Sequence, residues 1–184
     1  MMLLVDAGNS FVKWLPASPG QPLTVQGRCS IERNDLPQHL LSAWRDIPCP
    51  EKVVVASVAG NQLADAIRDA ADQLWQLQPE FINSQRSFHG LVNDYAEPGR
   101  LGVDRLLGML AAYRELGGPV LVIDCGSAVT VDLVGADGIF LGGVILPGIT
   151  LACQSLAAGT ANIDNCLPDG EIDTLAKTTA CLLY

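Results

Sequence analysis

The sequence predicts an α/β protein of duplicated architecture, and three observations predict it. An apolar run ending in Asp-x-Gly and a small polar residue occurs at Leu3-Leu4-Val5-Asp6-Ala7-Gly8-Asn9-Ser10. It recurs at Leu121-Val122-Ile123-Asp124-Cys125-Gly126-Ser127-Ala128. Each reads as a buried strand with a carboxylate at its tip and a glycine turn behind it. The third observation is the break at Gly117-Gly118-Pro119, after which the strand–turn–strand pattern of the N-terminus restarts. The boundary therefore falls near 117, with residues 1–117 as a first domain and 118–184 as a second.

The elements follow in order. Residues 2–6 and 11–15 read as a hairpin around the first Asp-x-Gly turn, and Leu23–Cys29 as a third strand. Asp35–Ile47 carries helical spacing at Leu36, Leu40, Leu41 and Trp44, with Asn34 or Asp35 as its cap. Lys52–Val58 is a β-branched run of the kind found in central parallel strands. Asn61–Leu77 is a second helix, Glu80–Asn83 a short strand, and Leu91–Leu101 a loop rich in turn residues. Gly102–Leu116 is a helix with Leu106, Leu107, Leu110, Ala111 and Tyr113 facing a core. Strands at 120–124, 129–134 and 139–145, a helix over 149–158 and a last helix over 173–184 complete the chain. A full repeat of the first half would need about another 60 residues, so the second domain is expected to be incomplete.

Composition narrows the function. Of the 184 residues 49% are hydrophobic and 17% charged, ample for a buried core, and the net charge of −9 argues against general binding of nucleic acid or membrane surfaces. The N-terminus has no basic region before its apolar run and meets an acid at Asp6, so no secretory signal is expected. No run reaches the ~18 apolar residues of a membrane span. Six cysteines without a Cys-x-x-Cys spacing, and only two histidines, His39 and His89, suit reduced cytoplasmic thiols and not a zinc site.

The chemistry of the paired tips fits a nucleotide. Glycine lets backbone N–H groups approach phosphate, the neighbouring hydroxyl or amide adds a hydrogen bond, and the carboxylate can hold a hydrated cation. Between the tips lie Tyr95 and then Leu101-Gly102-Val103-Asp104-Arg105, at the entrance of the long helix. A carboxylate in the first turn is favoured in its ionised form by the helix dipole. Asp104 can thus serve as a general base toward a hydroxyl with Arg105 beside it to bind an anion, or simply as a helix cap with a surface ion pair.

In order and spacing, Asp6-x-Gly8-Asn9-Ser10-x-x-Lys13, Gly102-x-Asp104-Arg105, Asp124-x-Gly126-Ser127-Ala128-x-Thr130 and Leu141-Gly142-Gly143-x-Ile145-x-Pro147-Gly148 resemble type III pantothenate kinases, from residue 2 to about 180. The resemblance implies a duplicated ribonuclease-H-like fold of the actin-like kinase superfamily, and phosphorylation of pantothenate by ATP on the path to coenzyme A. It implies that Asp6, Ala7, Gly8, Asn9, Ser10, Phe11, Val12 and Lys13 wrap the ATP phosphates, with Ser127 from the second half. Asp6 would hold Mg2+ through water, and Asp124 a monovalent cation, K+ or NH4+. Asp104 matches the catalytic base. Tyr95, Gly102, Val103, Asp104, Arg105 and Thr179, or its neighbour Thr178, match pantothenate contacts. The resemblance also implies a homodimer. Two other readings stay open: another actin-like small-molecule kinase, and a non-catalytic regulatory relative.

Overall fold

A computed structural model describes residues 1–31 and 35–161. The first sheet holds β1 (Met2–Ala7), β2 (Phe11–Ala17), β3 (Gly27–Ser30), β4 (Lys52–Ser57) and β5 (Glu80–Ile82) in the order β3-β2-β1-β4-β5. β1, β2 and β3 pair antiparallel, while β1–β4 and β4–β5 are parallel. The parallel pairs require crossovers, supplied by α1 (Leu36–Trp44) and α2 (Asn61–Trp75), which pack against one another.

Strand alternation decides what each face presents. Leu3, Val5, Val12, Trp14, Val53 and Val55 turn toward α1 and α2 and are buried with Leu40, Trp44 and Ile67. The alternate positions Leu4, Asp6, Lys13, Leu15, Val54 and Ala56 fall on the opposite face, where they line a cavity of about 490 Å3. The two-residue period that fills the core therefore also delivers Asp6 and Lys13 to open space.

A small hairpin, β6 (Ser87–Phe88) with β7 (Leu91–Val92), and a 3-10 turn at Pro98–Arg100 lead into α3 (Val103–Leu116). The second sheet is an antiparallel meander of β8 (Val120–Cys125), β9 (Ala128–Val134) and β10 (Phe140–Pro147), followed by α4 (Ile149–Gly159). A second core joins Leu91, Leu101, Leu106 and Met109 to Val134 and Phe140. Leu121, Ile123, Val144, Ile145 and Leu146 on the second sheet remain more than half exposed.

Three elements differ from expectation. The third strand begins at Gly27, and Leu23 and Val25 before it are exposed. Gly27 lies under the Trp14 indole, where a Cβ would collide with the ring, so strand pairing starts where the tryptophan fits. The segment read as a loop contains β7, with Leu91 fully buried, and the 3-10 turn. On α3 the buried stripe is Val103, Leu106 and Met109, and Ala111 is exposed. The expected helix at 173–184 lies outside the described residues.

Trp44 anchors the first core. It is fully buried, stacked on Trp75 at 5.9 Å between ring centroids and edge-on to Trp14 at 6.2 Å. Trp44→Ala should lower stability by about 3–5 kcal/mol. Urea unfolding followed by circular dichroism measures this, and a loss below about 1 kcal/mol would show that the three rings do not hold the core together.

Candidate active site

The two Asp-x-Gly turns have similar construction. In the first, the Gly8 N–H donates to the Phe11 carbonyl at 3.0 Å, and Asp6 sits opposite Lys13 in the β1–β2 register, with Nζ to Oδ2 at 3.4 Å. Both side chains are about half exposed, so the pair is loose and each partner remains available. In the second turn the Gly126 N–H donates to the Ala128 carbonyl at 2.9 Å, and Asp124 pairs in register with Thr130. The turns meet: the hydroxyls of Ser10 and Ser127 lie 2.5 Å apart.

The second turn is backed by α4. The Gly148 N–H donates to the Ser127 carbonyl at 3.0 Å, immediately before the helix begins. A Cβ on Gly148 would stand 2.6 Å from that oxygen and would collide with the Gly126 carbonyl. Only glycine lets the Pro147-Gly148 backbone approach so closely. The N-terminus of α4, with its positive dipole end, is thereby held against the turn that carries Ser127. Lys13, two hydroxyls and a helix N-terminus together make a setting suited to an anion such as phosphate.

The other residues of the first turn divide by exposure. Asn9 and Phe11 are exposed, whereas Ala7 and Val12 are fully buried in the first core. Ala7 and Val12 can therefore reach a ligand only through their backbone.

Asp104 sits in the first turn of α3, exposed, with Oδ1 accepting from the Arg105 N–H at 2.7 Å. Gly102 leaves room for this: a Cβ there would stand 2.5 Å from the same oxygen. Leu107, one turn further along the same helix face, lines the cavity that also holds Asp6 and Lys13. The helix that carries Asp104 thus borders the same space as the first phosphate-type turn. Val103 is buried and, like Ala7 and Val12, offers only backbone.

Arg105 points the other way. Its Nε–H donates to Asp132 Oδ2 at 3.0 Å and its Nη2–H to Oδ1 at 2.5 Å, with side-chain exposures of 8% and 1%. The hydrogen bonds to Asp132 raise the guanidinium pKa further above its ordinary value. Burial opposes this, and the neighbouring Tyr95 adds to it. The ion pair that Arg105 forms is thus buried, and its partner comes from the second half of the chain. Tyr95 stacks on Phe140 at 6.2 Å. Both line a cavity of about 580 Å3 with Arg100, Gly142 and Gly143.

Two polar residues in this region escape a reading of the sequence. Among the described residues, Asn93 and Asp132 are the buried polar or charged side chains. Asn93 donates from Nδ2 to the Pro98 carbonyl at 2.9 Å and accepts from the Tyr95 N–H at 3.1 Å, which shapes the loop presenting Tyr95. Asp132 is flanked by the apolar Val131 and Leu133, whereas Asn93 stands between Val92 and Asp94 and gives no such signal.

Among the described residues no three His, Cys, Asp or Glu side chains cluster as a metal site. Asp6 and Asp124 each stand exposed at a strand tip. A single carboxylate suits Mg2+, which keeps most of its water and shares the remainder with substrate phosphates. Thr178 and Thr179 lie outside the described residues.

The type III pantothenate kinase family profile matches residues 2–182. A type III pantothenate kinase of Nitrosococcus oceani is 35% identical over 188 aligned positions, covering 100% of this chain and 70% of that protein. The Chromobacterium violaceum protein of the same name is 39% identical, covering 94% and 68%. The chain spans between 65% and 74% of the length of such relatives. A crystal structure described as a Baf family transcriptional activator from Campylobacter jejuni superposes with a TM-score of 0.53 at 22% identity. The superposition covers 98% of this chain and 71% of that one, and it shows a shared fold.

The close approach at Gly148 yields a direct test. Gly148→Ala should destabilise the chain by about 1–3 kcal/mol through overpacking. Gly159→Ala, where a Cβ would meet nothing within 4 Å, should be neutral or slightly stabilising. Thermal unfolding of both variants decides, and equal melting temperatures would contradict the packing of α4 on the second turn.

Proposed function

The chain belongs to the type III pantothenate kinase family, and we propose that it transfers the γ-phosphoryl group of ATP to the primary hydroxyl of pantothenate, the entry step to coenzyme A. The observation that carries this reading is the meeting of the two Asp-x-Gly turns through Ser10 and Ser127, beside a cavity shared by Asp6, Lys13 and the helix of Asp104.

In this reading Gly8, Asn9, Ser10 and Ser127 contact the phosphates by N–H and hydroxyl donors, and Ala7, Phe11 and Val12 shape the turn by backbone. Lys13 would turn from Asp6 toward the phosphate oxygens and offset their charge. Mg2+, held by Asp6 through water, would supply further neutralisation of the phosphates when bound. Asp124 would hold a monovalent cation beside the second turn. Asp104 accepts the proton of the pantothenate hydroxyl as its oxygen bonds to the γ-phosphorus and the bond to the ADP oxygen breaks. Phosphoryl transfer depends on such positioning more than on covalent help from the protein. Tyr95, Gly102 and Val103 border the acceptor, with Thr179 assigned to it by the family pattern.

The strand order of the first sheet and the matching turns support a duplicated ribonuclease-H-like fold divided at residue 117. α3 is then the shared element, since its buried stripe belongs to the second core. A homodimer in the cytoplasm is part of the same proposal. Among the described residues no helix is long and apolar enough to cross a membrane.

The test is ADP release from ATP with pantothenate, compared with simple sugars as acceptors. Pantothenate alone should support turnover, and Asp104→Asn should reduce it by roughly 10²-fold or more while ATP binding is retained. Turnover with a sugar in place of pantothenate, or an Asp104→Asn variant at near-normal rate, would overturn the assignment.

A further inference from the structure

We propose that Asp132 is a positioning residue for the acceptor end of the site, acting through Arg105. The proposal rests on the functional reading above for its kinetic consequence, and on geometry alone for the contact itself.

Asp132 lies on β9, the central strand of the second sheet, opposite Val122 on one side and Gly143 on the other. Alternation along β9 aims its side chain at α3, where it takes two donors of Arg105 in a fork. Both groups are almost fully withdrawn from water. An ion pair this deep gives little net stability, because desolvation of the two charges offsets their attraction. What it does provide is direction: a planar guanidinium gripped at two nitrogens has one orientation.

That orientation propagates in two ways. Arg105 follows Asp104 in the first turn of α3, so fixing its side chain to β9 fixes the helix entrance that carries the proposed base. The same guanidinium lies 6.0 Å from the Phe140 ring centre, Phe140 stacks on Tyr95, and both rings line the 580 Å3 cavity. Gly143 explains itself in the same contact. A Cβ there would collide with the Asp132 carboxylate and stand 3.0 Å from Arg105 Nη2. Gly143 therefore makes the space that the ion pair occupies.

The test is a double-substitution cycle with Asp132→Asn and Arg105→Met. Asp132→Asn should raise KM for pantothenate about tenfold or more through misplacement of the acceptor end, with KM for ATP changed less than about twofold. In the Arg105→Met background the same substitution should add nothing further, because its route of action is gone. Should Asp132→Asn fail to fold, Asp132→Glu keeps the charge but moves the carboxylate by one methylene, and should still raise KM for pantothenate. A second readout needs no turnover: hydrogen exchange at amides 106–109, the first of α3 with helical acceptors, should accelerate at least about tenfold in Asp132→Asn relative to α2, and not further in the double variant. Additive effects, or unchanged KM with unchanged exchange, would overturn the proposal. A wild-type chain that turns over no pantothenate would sink the functional reading instead, and the exchange cycle would still decide the role of Asp132.

Discussion

The placement of α3 is the constraint on which the rest depends. The helix is gripped on one side by the buried pair of Arg105 with Asp132 and by Leu106 and Met109 in the second core. On its other side Leu107 borders the cavity floored by Leu4, Val54 and Ala56 of the first sheet. One element thus touches both halves and carries Asp104 at its entrance. Its hydrophobic stripe alone would allow small rotations of the helix, because apolar contact is non-directional. The forked ion pair removes that freedom.

Glycines complement this. Gly102, Gly143 and Gly148 each occupy a place where a methyl group would strike a functional atom or the turn that presents one. Gly102 clears the Asp104 carboxylate, Gly143 clears the Asp132 carboxylate and Gly148 clears the second turn. The motifs that identify the family are therefore largely places where backbone must approach something closely, with carboxylates and hydroxyls supplying the chemistry between them.

Much of this was legible in the sequence, for local reasons. Apolar and β-branched runs located β1 and β4, and the Asp-x-Gly turn located β2; in the structure, strand alternation then puts Asp6 and Lys13 on the face away from the helices. The Asp-x-Gly turns and the α3 entrance were visible because their glycines and carboxylates are adjacent in the chain. Short strands were less visible: β3, β6 and β7 are held by pairing and by the fit of Trp14 over Gly27, not by their own pattern. Asp132 was hidden for a different reason. In a strand read as Val131-Asp132-Leu133 an acid at an alternate position is indistinguishable from a solvent-facing one. Its burial depends on an arginine 27 residues earlier. Likewise Asn93 looks like a turn residue until its partners at Tyr95 and Pro98 are known.

The central claim is that the two Asp-x-Gly turns and the N-terminus of α4 form one nucleotide site. Titration of Mg-ATP into 15N-labelled chain tests it most directly. The account predicts that the amide resonances of Gly8, Gly126 and Gly148 shift together along curves described by a single dissociation constant. Shifts confined to Gly8, or different dissociation constants for the two turns, would contradict it.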